Sequence, residues 1–167
     1  NQNLDFFKIR EIMKDGYKRN AHIPMSGFTA GPCLLKDTMQ LSSFLNKKFS
    51  LGHSAMDVNE GMPKFIYDDL KNNFNLKNKT IGLLGLTFKA DCDDIRDSLA
   101  MKLLKFLQKK NIKTIYSDEF YNLQGSVNKN VLVKKADIII FSCPHTAYKK
   151  IKISKKKPII DIWGFRN

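Results

Sequence analysis

The chain has 167 residues, of which 43% are hydrophobic and 27% are charged, a composition typical of a globular protein with one domain or two small ones. Its net charge of +13 comes mainly from lysine, since only four of its 29 basic residues are arginines, and base recognition relies on arginine. No apolar run is long enough to cross a bilayer. We therefore expect a solvated, lysine-rich surface, with no nucleic-acid partner and no membrane partner.

The three cysteines, Cys33, Cys92 and Cys143, are odd in number, far apart and without a Cys-x-x-Cys pair. This spacing argues against a disulfide scaffold and a zinc ribbon, and the three histidines show no metal-ligand spacing. No signal-peptide pattern is present, and the chain starts with Asn rather than Met. We therefore expect a cytoplasmic protein without a metal site, and we expect this chain to be part of a longer one.

The first half of the chain shows helical periodicity. Apolar residues recur every three or four positions in three segments, at residues 5–16, 37–49 and 54–72. Gly16 follows the first segment as a stop signal, and Pro63 predicts a break or restart within the third. We therefore expect helices here.

The period changes after a polar, asparagine-rich stretch at residues 72–79. Short, mostly apolar runs that are typical of buried parallel strands follow, at residues 80–86, 112–118, 136–143 and 158–163. Between the first two runs, SLAMKLLKFLQKKN is amphipathic, as expected of a crossover helix. The predicted class is α/β: a helical segment at residues 1–74, then a Rossmann-like, doubly wound parallel sheet at residues 75–167.

The turn after the first predicted strand, GLTFKADCDDIRDS at residues 85–98, is unusually long for an α/β connection. Because ligands bind at the carboxyl ends of parallel strands, Phe88, Lys89 and Arg96 are candidate contacts. An equal alternative is that Lys89 and Arg96 neutralise the neighbouring aspartates, with Asp97 capping the next helix. The turn lacks the three-glycine dinucleotide fingerprint, so a complete NAD site is not expected here.

Two further candidates follow predicted strands. Asp118 has the position of a ribose-binding acid. Cys143 and His145 carry the groups of a nucleophile and a base, but we interpret them as structural because they lie at the end of a buried run.

Cys33 lies in a loop of small residues, GFTAGPCLLKD, at residues 27–37. In one interpretation it is a small buried residue at a helix entrance, with Asp37 as the N-cap of that helix. In the other, helix-terminal N–H groups and Lys36 favour the thiolate, and Asp37 orients a water or a hydroxyl. The residues alone leave both interpretations open.

Taken together, these two loops resemble a known family, the UDP-glucose/GDP-mannose dehydrogenases, which are NAD-dependent nucleotide-sugar 6-dehydrogenases. Residues 27–37 are similar to the family's Gly-Phe-Gly-Gly-Ser-Cys-Phe-Pro-Lys-Asp loop, and residues 85–98 are similar to its Gly-x-x-Phe-Lys loop with Asp-x-Arg-x-Ser. The resemblance covers nearly the whole chain but only the back half of a family member, without the N-terminal NAD-binding domain. It differs at Ala30, Pro32 and Trp163, where other residues are common in the family.

The resemblance implies a double oxidation of a sugar C6 alcohol to a carboxylate by two NAD+. Cys33 would be the nucleophile, which captures the aldehyde as a thiohemiacetal and then carries a thioester that water hydrolyses. Asp37 would assist the proton movements of water and hydroxyl groups. Lys36 and Arg96 would be cofactor contacts.

The resemblance also implies a nucleotide-sugar substrate, with a UDP-sugar as the favoured class. Gly31, Phe88 and Lys89 would contact this substrate. Arg19 would reach the substrate of a neighbouring subunit, because family members dimerise through the central helices. The alternative function is a non-catalytic, Rossmann-like module that binds a nucleotide or a nucleic acid, in which Cys33 would be unreactive.

Overall fold

The computed structural model describes residues 4–46 and 48–166. Within these ranges the chain forms helices α1 (Phe6–Lys14), α2 (Leu34–Phe44), α3 (Ser50–Glu60), α4 (Met62–Asn73), α5 (Leu99–Lys109) and α6 (Lys129–Lys135). The strands are β1 (Thr80–Leu84), β2 (Lys113–Ser117), β3 (Ile138–Phe141) and β4 (Ile159–Asp161). The predicted α/β class is therefore confirmed, and each of the four predicted strand regions contains a strand.

The four strands form one parallel sheet in the order β2-β1-β3-β4. From β1 the chain crosses through α5 to β2 on one side, and then through α6 to β3 on the other side of β1. The direction of winding thus reverses between β1 and β3, and the carboxyl ends of these strands form the topological switch point. Ligands of open α/β sheets bind at this point.

Alternate residues of the central strands face opposite sides of the sheet, as the two-residue period of a strand requires. One side is covered by α4 and α5, and its core contains Ile66, Leu70, Ile81, Leu83, Leu103, Leu107, Ile138 and Ile140. The other side is covered by α6 and the segment after β3, and its core contains Leu84, Leu132, Ile139, Phe141 and Tyr148. The sheet is therefore buried on both faces, which explains its nearly continuous apolar strands.

Helices α1 to α3 bury much less. Helix α1 begins at an N-cap, Asp5, whose carboxylate accepts from the Phe7 and Lys8 amides, but none of its residues is buried. Ser42 is the buried residue of α2, and Met56 is the buried residue of α3. Helix α4 restarts with Pro63 in its first turn, so the predicted break is confirmed.

Several local predictions were wrong. Helix α2 begins at Leu34 with Cys33 as its N-cap residue, so Asp37 lies in the first turn and does not cap the helix. The cap of α5 is Ser98, whose hydroxyl accepts from the Met101 amide, and not Asp97. Helix α6 was not predicted, because its seven residues are too few to show a helical period.

Helix α4 ends at Asn73 and β1 begins at Thr80, and the predicted boundary between residues 74 and 75 lies in the segment between them. The buried side chains of α4 belong to the core of the sheet, although α4 lies in the first predicted domain. The division into two domains therefore stays a prediction. Residues 1–3 and 167, at the ends of the two predicted domains, lie outside the described ranges. In the described parts of the chain, no helix has the length and apolar character to cross a membrane.

Candidate functional site

Cys33 is exposed at the amino end of helix α2. Its carbonyl accepts the first helical hydrogen bond, from the amide of Asp37 at 2.8 Å. Lys36 and Asp37, on the first turn, form an ion pair with a distance of 3.4 Å between Nζ and Oδ1. The Lys36 side chain is 67% exposed and the Asp37 side chain is 65% exposed. The interpretation of Cys33 as a buried packing residue is therefore wrong, because its thiol is accessible at the positive end of a helix.

The loop that precedes Cys33 rests on the last segment of the chain. Gly27 leaves room for the indole of Trp163, because a Cβ at Gly27 would overlap that ring. Phe28 contacts the same indole edge to face at 6.4 Å, and Trp163 Nε1 donates to the Ser142 carbonyl at 3.1 Å. Trp163 thus connects the Cys33 loop to the carboxyl end of β3.

The loop at residues 85–98 reaches the Cys33 loop through Phe88. Gly31 has φ +136°, and a Cβ there would lie 3.3 Å from the Phe88 ring, tighter than ordinary contact. The neighbouring Lys89 is exposed, and its ammonium lies 5.5 Å from the centre of the Phe88 ring. Gly31, Phe88 and Lys89 are therefore brought together next to the cysteine.

Arg96 lies on the same loop and close to Cys33. Its guanidinium forms a bidentate pair with Asp94, in which Nε donates to Oδ1 at 3.1 Å and Nη2 donates to Oδ2 at 2.6 Å. The hydrogen bonds and charge of Asp94 raise the pKa of Arg96, and a thiolate at Cys33 is near enough to add to that shift. The prediction that Arg96 neutralises a neighbouring aspartate is confirmed, while 71% of its side chain stays exposed and accessible to a ligand.

The predicted site residues therefore divide into two groups. Those near Cys33 are Gly31, Lys36, Asp37, Phe88, Lys89 and Arg96. Arg19 lies apart from that group in sequence, in an exposed helical turn at Lys18–Asn20, and its side chain makes no hydrogen bond or ion pair among the described residues. Its predicted contact with a neighbouring subunit stays a prediction.

Asp118 has a different environment from the one its position suggested. Its side chain is fully buried after β2 and accepts backbone N–H bonds from Leu86, Phe120 and Tyr121. Burial raises the pKa of Asp118, but the His145 hydrogen bond and the backbone donors outweigh this effect, and the pKa is lowered overall. A ribose-binding role for this buried carboxylate is therefore wrong.

The partner of Asp118 is His145, which is also fully buried. His145 Nε2 lies 2.9 Å from an Asp118 oxygen, while the Asp91 amide donates to His145 Nδ1 at 2.9 Å. The structural interpretation of His145 is thus confirmed, but the pair itself was missed. A signal was present, since both residues follow strands and the carboxyl ends of parallel strands share one edge of the sheet.

The other two thiols differ sharply from Cys33. Cys143 is buried behind Thr87, and burial raises its pKa to about 12, which leaves it protonated at neutral pH. Cys92 is half-buried, and its thiol donates to the Lys89 carbonyl at 3.4 Å. Cys33 is the exposed thiol of the three.

Comparison with known proteins shows what the chain is similar to. A sequence model described as the UDP-binding domain of the UDP-glucose/GDP-mannose dehydrogenase family matches residues 82–167. The chain is 31% identical to a UDP-N-acetyl-D-mannosamine dehydrogenase of Pyrococcus horikoshii, over 95% of this chain and 40% of that protein. It is also 31% identical to a UDP-glucose 6-dehydrogenase of Campylobacter jejuni, over 77% of this chain and 34% of that protein.

Solved structures of nucleotide-sugar dehydrogenases are also similar to this chain. The Pyrococcus horikoshii UDP-D-ManNAc dehydrogenase superposes with a TM-score of 0.74 at 26% identity, covering 89% of this chain and 36% of the other. A UDP-glucose dehydrogenase from Pyrobaculum islandicum shares the fold, with a TM-score of 0.76 at 18% identity over 96% of this chain and 44% of the other. The chain spans about two fifths of the length of the first of these curated relatives. It belongs to the UDP-glucose/GDP-mannose dehydrogenase family, and most of its second half is that family's UDP-binding domain.

Proposed function

We propose that this chain supplies the catalytic cysteine and the nucleotide-sugar-binding region of a nucleotide-sugar 6-dehydrogenase. The observation that carries this proposal is the position of Cys33. Its accessible thiol lies at the amino end of α2, beside a loop that projects from the UDP-binding domain and bears Phe88, Lys89 and Arg96.

The proposed reaction oxidises a primary alcohol to a carboxylate in two steps of two electrons each. Loss of a hydride from C6 and of a proton from its hydroxyl gives an aldehyde. Cys33 Sγ then adds to the carbonyl carbon, and the carbonyl oxygen takes up a proton, which gives a thiohemiacetal. Loss of a second hydride and proton gives a thioester, and water then releases the carboxylate and the free thiol. A thiol suits both stages because it adds readily to a carbonyl and leaves readily from an acyl group.

Bound NAD+ supplies the hydride acceptor for each oxidation. Lys36 and Arg96 are exposed cations beside Cys33, and their charge suits the phosphates of such a cofactor. Asp37 is exposed one turn along α2 from Cys33, where its carboxylate can accept a proton from the attacking water or from a hydroxyl. Lys36 and Arg96 would therefore hold the cofactor, and Asp37 would move protons.

The nucleotide sugar is proposed to lie against Phe88, Lys89 and Gly31. The Phe88 ring offers an apolar face, and Lys89 offers an exposed ammonium for a diphosphate. Gly31 carries no side chain and is buried against the Phe88 ring, so its proposed part is to let that ring lie close to the cysteine loop. A uridine diphosphate sugar is the proposed class, and Arg19 is the proposed contact to the substrate of a second subunit.

We also propose a homodimer formed through the helices that precede the sheet. Several large apolar side chains of α2 and α3 are exposed: Leu41 by 45%, Phe44 by 82%, Leu51 by 80% and Val58 by 71%. Apolar side chains so concentrated on two packed helices are typical of an interface. In analytical ultracentrifugation, Phe44→Glu should sediment as a monomer. Phe120→Glu, at another exposed position, should sediment as a dimer, like the wild type.

The enzymatic proposal is tested with a polypeptide in which this chain follows an NAD-binding domain. We expect NADH formation from a UDP-sugar, and we expect Cys33→Ala to abolish formation of the carboxylate. Cys92→Ala is the matched control and should retain most of the activity. The 167 residues alone should not reduce NAD+.

Carboxylate production by Cys33→Ala at the wild-type rate would contradict the proposal. NADH formation by the isolated 167 residues with any nucleotide sugar would contradict the expectation that this chain needs an NAD-binding domain to be active.

A further inference from the structure

A buried polar cluster lies directly beneath the loop that carries Phe88 and Lys89, and the chemistry above does not use it. We propose that Asp118 and His145 are positioning residues that hold residues 86–91 in place, so that Phe88 and Lys89 meet the nucleotide sugar. This inference rests on the proposed function, because it names that substrate as the ligand of the loop.

Asp118 holds the first end of the segment. One of its carboxylate oxygens, Oδ2, accepts from the amide of Leu86 at 2.5 Å and from the amide of Thr87 at 3.3 Å. The other oxygen, Oδ1, accepts from the amides of Phe120 and Tyr121 at 2.8 and 3.0 Å. A charged acceptor makes these hydrogen bonds stronger than neutral ones. The start of the loop is thus fastened to the carboxyl end of β2.

His145 holds the second end. The amide of Asp91 donates to His145 Nδ1 at 2.9 Å, and the Asp91 carboxylate accepts from the amide of Thr146 at 2.9 Å and from its hydroxyl at 2.5 Å. Asp91 has φ +54°, a conformation that aspartate tolerates better than most residues, so the chain turns sharply at this point. The end of the loop is thus fastened to the segment after β3.

The two fastenings are connected to each other. Because Nδ1 of His145 accepts a hydrogen bond, the proton of the neutral ring is on Nε2, which donates to Asp118 at 2.9 Å. Asp118 follows β2 and His145 follows β3, and these two strands lie on opposite sides of β1. The pair therefore spans the switch point and holds both ends of a loop that begins at β1.

The contacts favour positioning over general stabilisation. A buried hydrogen bond adds only modest net stability, because folding exchanges hydrogen bonds to water for hydrogen bonds within the protein. Here three of the amides that the pair binds are loop amides, those of Leu86, Thr87 and Asp91. Between them Phe88 and Lys89 stay accessible at the surface, with the Phe88 ring against Gly31 of the cysteine loop. The pair thus fixes the backbone position of the two residues that are proposed to bind substrate.

The experiment uses the complete 167-residue chain and two measurements. Amide hydrogen exchange reports on Leu86, Thr87 and Asp91 without any ligand, and calorimetry with uridine diphosphate reports binding. In Asp118→Asn we expect exchange at Leu86 and Thr87 to be at least tenfold faster, while amides of β1 and β3 keep wild-type protection. We expect affinity for uridine diphosphate to fall about tenfold or more.

Two conservative variants separate the two ends of the loop. His145→Asn keeps an acceptor near the place of Nδ1, so the Asp91 amide should retain most of its protection. His145→Gln keeps a donor near the place of Nε2, so the Leu86 and Thr87 amides should be the better protected ones. His53→Gln, on α3, is the matched control and should change neither measurement. Thr146→Val, at an exposed position, keeps the test decisive if a buried variant does not fold, and should speed exchange at Asp91 about threefold.

The outcomes are distinguishable. If the wild type binds uridine diphosphate and a folded Asp118→Asn variant binds it with the same affinity, the positioning role alone is overturned. The same holds if the Leu86 and Thr87 amides exchange at the wild-type rate in that variant. Absence of binding to the wild-type chain overturns the proposed function and, with it, the ligand named for the loop. Faster loop exchange with weaker binding, at unchanged protection of β1 and β3, supports the inference.

Discussion

The sheet region and the helices that precede it differ in what their apolar side chains contact. In the sheet region, leucine and isoleucine side chains are buried on both faces between the strands and helices α4 to α6. In α1 to α3, most large apolar side chains are exposed, and each of α2 and α3 has one buried residue. The sheet region therefore has a core of its own, whereas the first three helices present an apolar surface that a further polypeptide can cover.

The candidate site lies where these two regions meet. Cys33 comes from the helices with little buried surface, while Phe88, Lys89 and Arg96 come from a loop anchored on the sheet. This arrangement puts the proposed binding residues on the part that has its own core and the proposed nucleophile on the part that buries little apolar surface. The predictions below test this difference, from the largest expected effect to the smallest.

The largest difference is expected between two leucines. Leu103 of α5 is 0% exposed and lies in the core of the sheet, whereas Leu51 of α3 is 80% exposed. Leu103→Ala should lower the free energy of unfolding by about 3 kcal/mol, because it removes buried methyl groups and leaves a cavity. Leu51→Ala should change it by less than about 0.5 kcal/mol in the monomer. Urea unfolding at low protein concentration measures both, and equal losses would contradict the contrast between the regions.

Alkaline pH should weaken the sheet region through its buried thiol. Cys143 has a folded pKa of about 12 against an ordinary value of 9.0, so its contribution is complete below pH 9 and is lost as the pH rises toward 12. Between these limits the free energy of unfolding should fall by about 1.4 kcal/mol per pH unit from this group. The slope should be flatter by that amount in Cys143→Ala, and Cys33→Ala is the matched control. Identical slopes in wild type and Cys143→Ala would refute the prediction.

A smaller effect is expected where the two regions touch. Gly31 has φ +136°, and a Cβ there would press on the Phe88 ring, so Gly31→Ala combines backbone strain with a displaced side chain. We expect it to lower the free energy of unfolding by about 2 kcal/mol. Gly16 has φ +65° with nothing within 4 Å of its Cβ position, so Gly16→Ala should lower it by about 1 kcal/mol from strain alone. A smaller loss for Gly31→Ala than for Gly16→Ala would show that the Phe88 contact is not tight.

Much of the fold was predictable because it depends on local patterns. The apolar runs of β1 and β3 and the stripe of α5 are strong signals, and each is confirmed. Helix α6 has only seven residues, and four of them have charged or amide side chains. Its sequence is therefore too short and too polar to show a helical repeat of apolar residues. Its identity as a helix depends on Leu132 and Ala136 packing under β1, against Gly82.

The candidate site was predictable only in part, for a related reason. Cys33, Lys36 and Asp37 are close in sequence, and so are Phe88, Lys89 and Arg96, which allowed each group to be recognised as a motif. The cap of α2 was assigned wrongly, since Cys33 takes that place without a side-chain hydrogen bond. The preference of Asp for caps is a weak local signal that the course of the preceding loop overrides.

By itself the sequence determined the strands, the crossover helix and the identity of the two loops, because these depend on neighbours within a few positions. Only the tertiary structure decided that Phe88 packs on Gly31 and that Asp118 and His145 share a buried hydrogen bond beneath the loop. The partners in these contacts are 57 and 27 residues apart in the chain. Asp118 and His145 meet because the parallel strands before them end at one edge of the sheet. Gly31 meets Phe88 because Trp163 connects the Cys33 loop to the same edge, and no local pattern records either contact.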